Sequence, residues 1–369
     1  MNAQAQTSGK PSIHDFLRMT VDKKASDLHV KAGVPPVLRE SGTLFKTPFP
    51  PMTSGDCERA AMEIMGEDQA SAFKSRGEID FAYSEPGLGR FRVNVFRQRG
   101  SVAIACRRVL PGSPAFETLG LPPVVRTMAD EQRGLLLVTG PTSSGKTTTT
   151  AAMINHINAS RPCHILTIED PIEILHPDRM SIVNQREIGH DTAEWASAMR
   201  AAMRQDPDVI FVGEIRDAET VKTALQAAET GHLVISTLHT TDVSETVNRI
   251  IDFFPPHQQK QVRVSLGAAL KGVVSQRLIP RADRRGLLPA VEVLVVNGRV
   301  RDLILNPEQT HLIRDIVAES EFYGMQTFDQ ALLNLYRAGL VTLDDANATA
   351  TNAHDFQIAL RQEGLQPVS

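Results

Sequence analysis

Gly140-Pro-Thr-Ser-Ser-Gly-Lys-Thr147 has the residue types and spacing to hold a chain of phosphates. Its glycines let the backbone curl until successive N–H groups face one point, and a helix starting behind them adds its positive end. Lys146 would reach the β- and γ-phosphates, and the Thr147 hydroxyl would hold Mg²⁺. Pro141, Thr142, Ser143, Ser144 and Thr148 complete the expected nucleotide contacts. The flanks separate such a phosphate loop from a chance glycine turn. Residues 135–138 are an unbroken apolar run that reads as a strand buried on both faces, and Ala151, Ala152, Met153, Ile154 and Ile157 follow as a helix. Strand, loop and helix come in the required order, so a nucleoside triphosphate site is expected.

Three further polar positions follow apolar runs that read as strands: Glu169 after 163–168, Glu214 after 208–212 and His239 after 232–237. Ligands of open α/β sheets bind outside the carboxyl ends of the strands. Phosphoryl transfer is mostly positioning and charge neutralisation, and Mg²⁺ keeps several waters, so one carboxylate near the metal suffices. Glu214 fits that role, partly through water. Glu169 is then the carboxylate that orients the attacking water, and His239 a sensor of the γ-phosphate. The ordinary alternatives are a carboxylate capping the next turn for Glu169 and a satisfied strand-end histidine for His239.

Arg90, Arg92, Arg97, Arg99, Arg107 and Arg108 form a second cluster, with no Asp or Glu between residues 90 and 108. A solvated hairpin face, a nucleic-acid patch and arginines that reach a neighbour's nucleotide in a ring are all compatible with it.

These residues need two domains to carry them, and 369 residues accommodate two. A net charge of −4 gives no global pull toward nucleic acid or anionic lipid. Residues 1–11 read as a disordered tail. Residues 12–109 read as an α+β unit: a helix capped by Ser12, then alternating strands around Leu28 and Val30, Ile79 to Tyr83, Phe91 to Val95 and Val102 to Cys106. Residues 110–133, with Pro111, Pro114, Pro122 and Pro123, read as a semi-rigid linker. From 134 to 369 the apolar runs alternate with helices, the pattern of a parallel sheet, turning mainly helical after about residue 254 with one strand candidate at 291–296. Cys57, Cys106 and Cys163 form no CxxC, so buried thiols without disulfide or zinc are expected. No signal peptide and no eighteen-residue apolar run is present, which points to the cytosol.

Taken together, the motifs resemble the secretion ATPase superfamily, and within it the PilT-like retraction ATPases of type IV pili. The resemblance runs from Ala25-Ser-Asp-Leu-His29 through Gly324-Met-Gln-Thr-Phe-Asp329. It rests on the phosphate loop and on Leu166-Thr-Ile-Glu-Asp-Pro-Ile-Glu173, Asp206-Pro-Asp-Val-Ile-Phe-Val-Gly-Glu-Ile-Arg-Asp217 and Thr230-Gly-His-Leu-Val-Ile-Ser-Thr-Leu-His-Thr-Thr241. It implies a PAS-like N-terminal domain, a RecA-like P-loop ATPase domain with a helical C-terminal part, and a homohexamer that hydrolyses ATP with Mg²⁺. By the same resemblance Glu169 is the catalytic carboxylate, Glu214 the Walker-B glutamate, and His232 and His239 the paired histidines. Arg90, Arg92 and Arg107 become the arginines that reach a neighbour's nucleotide, which raises the ring reading above the other two. Two departures stand out. Ser143 occupies a position where the family usually has Gly, and it permits the curl provided its φ stays negative. The family's C-terminal arginine motif survives only as Arg299-Val-Arg-Asp-Leu-Ile-Leu305.

The resemblance further implies a cytoplasmic protein peripheral to the inner face of the cell membrane. Its expected partners are an inner-membrane pilus platform protein and a paralogous pilus ATPase. The alternatives are an accessory retraction ATPase of the PilU type, a pilus-extension or type II secretion ATPase, and, more remotely, a RecA-like nucleic-acid motor. Extension relatives usually carry a longer N-terminal region and a four-cysteine zinc site, and a nucleic-acid motor should show more aromatics than Phe91 and Phe96 in its arginine face. No nucleic-acid partner is expected.

Overall fold

The computed structural model describes residues 11–40 and 42–365, so residues 1–10 of the expected tail lie outside the described residues. The chain divides into two compact units, with the boundary between Pro111 and Gly112.

The first unit runs α1 (Ile13–Asp22), β1 (Asp27–Lys31), β2 (Val37–Glu40), β3 (Thr43–Lys46), α2 (Ser54–Ile64), α3 (Glu67–Arg76), β4 (Glu78–Glu85), β5 (Gly89–Gln98) and β6 (Ser101–Pro111). Its strands lie in the order β3-β2-β1-β6-β5-β4, each pair antiparallel. The period-2 apolar residues Leu28, Val30, Phe91, Val93, Val95, Val102, Ile104 and Cys106 point to one face and pack on Phe16, Leu17, Cys57 and Ala61 of the helices. The other face carries a charged row, because register sets Arg39, Asp27, Arg107 and Arg92 side by side across four strands. Like charges facing each other are unfavourable unless neutralised. Asp27 does so, accepting a hydrogen bond from Arg107 Nε at 2.8 Å and lying 3.8 Å from Arg39 Nε.

The second unit runs α4 (Phe116–Leu119), α5 (Pro123–Ala129), β7 (Gly134–Thr139), α6 (Lys146–Ser160), β8 (His164–Glu169), β9 (Ile174–Leu175), β10 (Ile182–Glu187), α7 (Trp195–Ala202), β11 (Val209–Val212), α8 (Ala218–Glu229), β12 (Leu233–Leu238), α9 (Val243–Asp252), α10 (Pro256–Ala269), β13 (Leu270–Pro280), β14 (Leu287–Val295), α11 (Gly298–Leu305), α12 (Ile313–Glu319), α13 (Phe328–Arg337), α14 (Leu343–Thr349) and α15 (Ala353–Gln362). One sheet in the order β10-β8-β11-β12-β7-β13-β14 organises it. Every neighbouring pair is parallel except β13 and β14. β7, β11 and β12 are buried along their whole length, which accounts for their unbroken apolar runs.

Three expectations need correction. The linker expected over 110–133 is not a spacer: β6 occupies its start, and α4 and α5 follow. Pro122 and Pro123 begin α5, where a missing N–H costs nothing. Val125, Met128 and Ala129 are then buried against Leu136 and Val138 of β7. Burying a Val or Met side chain contributes about 1.5–3 kcal/mol, so this segment belongs to the second core. The chain also turns mainly helical later than about residue 254: α10 does follow, but β13 and β14 precede the remaining helices, and the strand candidate at 291–296 is the end of β14. β13 escapes the sequence pattern since α10 passes into it at Leu270 with no turn residue, and Ser275-Gln-Arg277 interrupts its apolar run. Finally, Cys57 and Cys106 are buried thiols, but Cys163 is half-buried, with Sγ 3.2 Å from Ser181 Oγ.

Candidate nucleotide site

The phosphate loop leaves the carboxyl end of β7 and enters α6, whose N-cap is Gly145. Gly140 and Gly145 hold φ of +141° and +91°, values that side chains rarely adopt. Ser143 has φ +64°, so the negative φ set as the condition for the curl is not met, and the loop curls nonetheless. Ser143 stands in the left-handed region, at a cost of about 1–2 kcal/mol for a residue with a Cβ. Lys146 Nζ donates to the carbonyls of Gly140 at 2.7 Å and Pro141 at 2.9 Å, folding the side chain back over the loop. Partial burial lowers its pKa, against the opposing pull of Glu214 and Glu173. Ser144 Oγ is buried and has no hydrogen-bond partner among the described residues, and Thr147 is exposed at the start of α6.

Because the strands are parallel, the carboxyl ends of β8, β11, β12, β7 and β13 line one edge in that order. Glu169, Glu214, His239 and the phosphate loop thus arrive together around a cavity of about 350 Å³. Its walls include Thr142, Ser143, Lys146, Thr147, Glu169, Glu214 and His239, joined by Trp195.

Glu169 ends β8 and is buried. Thr167, two residues back and so on the same face, donates to its Oε1 at 2.7 Å. Gln185, which register places beside Thr167 on β10, donates to the same oxygen at 3.1 Å. Burial pushes the carboxyl up to about 7 although both hydrogen bonds favour the ionised form. A carboxylate poised near neutrality suits a general base.

Glu214 contrasts with it. Arg216 donates to its Oε1, and His239 Nε2 lies 3.4 Å from Oε2. The Arg216 hydrogen bond is the main reason that its carboxyl stays below the usual range, so it remains an anion. Arg216 also reaches Asp170 at 3.7 Å. Thr147 and Glu214 offer oxygen donors, the type that Mg²⁺ requires, and a Mg²⁺ held mainly through substrate phosphates needs no larger protein cage.

Not every expected residue joins this cavity. His232 lies before the first residue of β12, at the opposite edge of the sheet from the loop. Its carbonyl accepts from Gly134 N at 3.0 Å and its Nδ1 contacts the Ala227 carbonyl at 2.9 Å. It caps a strand and does not line this chain's phosphate cavity, a correction that follows from strand direction alone. Thr148 is half-buried on α6 behind the loop. Arg90, Arg92 and Arg107 belong to the first unit: Arg92 is exposed, Arg107 is held by Asp27, and Arg90 Nη1 donates to Ser84 Oγ at 3.3 Å. Sequence reasoning missed Thr167, Gln185, Arg216 and Trp195. Thr167 and Arg216 had a sequence signal, the two-residue steps to Glu169 and Glu214.

The family described as Type II/IV secretion system protein matches residues 118–320. The type IV pilus retraction ATPase PilT of Pseudomonas aeruginosa is 40% identical over 344 residues, 93% of this chain and 99% of its own length. The type IV pilus ATPase PilU of the same organism is 40% identical over 346 residues, covering 94% of this chain and 90% of PilU. The crystal structure of the pilus retraction motor PilT with bound ADP has a TM-score of 0.86 at 45% identity, covering 94% of this chain and 99% of that one. The likeness extends over both units, so the fold is a PAS-like α+β domain followed by a RecA-like P-loop domain with helices at its C-terminal end. By a match across more than half its length and by these near-complete alignments, the chain belongs to the type II/IV secretion system protein family.

Proposed function

We propose that this chain is an ATPase motor that works as a homohexamer and powers type IV pilus retraction, the step that underlies twitching motility. The observation that carries the reading is the convergence of the phosphate loop, Glu169, Glu214 and His239 at one sheet edge in a chain so similar to a retraction ATPase. Lys146 exchanges the Gly140 and Pro141 carbonyls for the β- and γ-phosphates. Gly140 to Thr148 wrap the phosphate chain with backbone N–H groups and hydroxyls. Mg²⁺, held by Thr147 and, partly through water, by Glu214, supplies neutralising charge when bound. Glu169 orients the attacking water and accepts its proton. His239, beside Glu214, senses the γ-phosphate.

Arg92 and Arg107 act on the nucleotide of the next subunit, with Arg90 and His232 as further contacts across the ring. Such an arginine is worth roughly 10³–10⁵ in rate in P-loop motors. Among the described residues no helix is long and apolar enough to cross a membrane. The proposed setting is cytoplasmic, against the inner face of the cell membrane, with force passed to an inner-membrane platform protein. A paralogous pilus ATPase is a second proposed partner.

The test mixes an Arg92→Ala, Arg107→Ala protein with a Lys146→Ala protein, each inactive alone. Mixed rings contain interfaces with an intact loop and an intact arginine donor, so activity partly returns. Inactive mixed hexamers would show that the arginines do not act between subunits. Gene deletion tests the cellular role: excess surface pili are expected, and loss of pili would mean assembly instead. Equal identity to PilU favours one second reading, an accessory retraction ATPase. In that case deletion leaves pilus retraction in place.

A further inference from the structure

β13 neighbours the phosphate loop on the side away from the carboxylates, and it is pressed against both loop glycines. Register sets Ser275 beside Thr139, their hydroxyl oxygens 2.7 Å apart, so Gln276 is the next residue along. A Cβ on Gly140 would lie 2.4 Å from the Gln276 carbonyl oxygen, and one on Gly145 would lie 2.6 Å from Gln276 Nε2. The same side chain, 3% exposed, accepts a hydrogen bond through Oε1 from Thr149 Oγ1 at 2.8 Å, and Thr149 is 1% exposed. Gln276 therefore touches the first glycine of the loop, the last glycine and the first turn of the helix that bears Lys146 and Thr147. It is itself held in place. Arg277 stacks on Phe328 at 3.9 Å and donates to the Thr349 carbonyl at 2.8 Å, fastening β13 to the helices α13 and α14.

We propose that Gln276 is a positioning residue for nucleotide binding, clasping the loop to α6 in its phosphate-ready curl before any ligand arrives. The inference rests on the reading of this cavity as the ATP site. A buried amide is an unfavourable way to fill space unless its hydrogen bonds are made, and an apolar side chain would fill the same space without that cost. The apparent affinity for a ligand falls in proportion to the fraction of protein in the competent conformation. Releasing the clasp lets the loop spread when empty, whereas a bound phosphate chain reimposes the curl. Gln276 then acts on affinity and leaves turnover of the occupied site alone.

The experiment compares Gln276→Met, Thr149→Val, the double variant and Thr149→Ser in the full-length protein. ADP affinity is read from the fluorescence of Trp195, the only tryptophan in the chain and a wall of the same cavity. KM and kcat for ATP are measured alongside. Gln276→Met and Thr149→Val are each expected to weaken ADP about fivefold, the scale of one net hydrogen bond, and to raise KM by the same factor with kcat within about twofold. The double variant should be no weaker than either single one, because both remove the same bond. Thr149→Ser, which keeps the hydroxyl, should restore affinity. Unchanged ADP affinity, additive losses, or a lower melting temperature as the sole effect would each overturn the proposal. If Gln276→Met does not fold, the Thr149→Val and Thr149→Ser pair decides. A wild-type protein that binds ADP but hydrolyses no ATP would count against the proposed function and leave the affinity comparison intact.

Discussion

To act as the proposed base, Glu169 must be ionised before it accepts a proton from water, and its pKa of about 7 places that requirement inside the working range. Half of the free protein is then competent at pH 7 and about one tenth at pH 6, so kcat/KM should fall about fivefold over that unit. An ordinary glutamate, at 4.5, would give a flat profile there. The assay is phosphate release at subsaturating ATP between pH 5.5 and 9, with Glu169→Gln expected to retain nucleotide and lose hydrolysis. Phosphate groups also titrate near pH 6, so the profile alone does not identify the carboxyl. Thr167→Val supplies the control. It removes a hydrogen bond that favours the carboxylate, worth about 1 kcal/mol or roughly 0.7 of a pH unit, and so moves the acid limb upward. Titration of the nucleotide cannot follow that substitution. A limb that stays put in Thr167→Val, or a profile flat down to pH 6, refutes the assignment of Glu169 as the base.

Glu214→Gln removes the anion that Arg216 and His239 share. The Mg²⁺ concentration for half-maximal hydrolysis should rise by about tenfold or more, and an unaltered Mg²⁺ curve would reject the metal role. Ser143→Gly relieves a left-handed residue worth about 1–2 kcal/mol but adds about 0.4–1 kcal/mol of unfolded-state freedom. The net effect expected is stabilisation of about 0.5–1 kcal/mol by the same bookkeeping, read as a higher melting temperature, and a drop would contradict it. Glu292, on β14, is 3% exposed, accepts from Val243 N at 2.9 Å and is pushed by burial up to about 7. A folded pKa above the unfolded one means that its contribution to stability is whole below about pH 4.5 and lost as pH rises through about 7. Glu292→Gln keeps the acceptor without the charge, so it should raise the melting temperature at pH 8 and not at pH 4. The same gain at both pH values would exclude ionisation as the cause.

The amino-acid sequence by itself determined the local chemistry: a strand, Gly140 to Thr147 and a helix, and then Glu169, Glu214 and His239 after apolar runs. These signals are local because a strand buried on both faces writes its burial into consecutive residues, and a phosphate loop needs its glycines at fixed spacing. The alternating strands of the first unit were legible for the same reason, since one face is packed and the other is wet. What only the tertiary structure decided is what depends on register and neighbours. Ile182 to Glu187 is an edge strand whose polar residues carry no strand pattern, so Gln185 reaches Glu169 through pairing with β8 and not through any spacing. β13 reads as the tail of a helix, yet it places Gln276 against two glycines 136 and 131 positions earlier. His232 sits seven residues before His239 and nonetheless at the far edge of the sheet, because a strand carries its two ends to opposite sides. The proline-rich stretch after Pro111 became core because α5 offers Val125 and Met128 to a sheet face that sequence could not locate. Ser143 adopts a positive φ, which residue type alone does not announce, because a backbone value disfavoured by a Cβ persists only where the surrounding structure holds it.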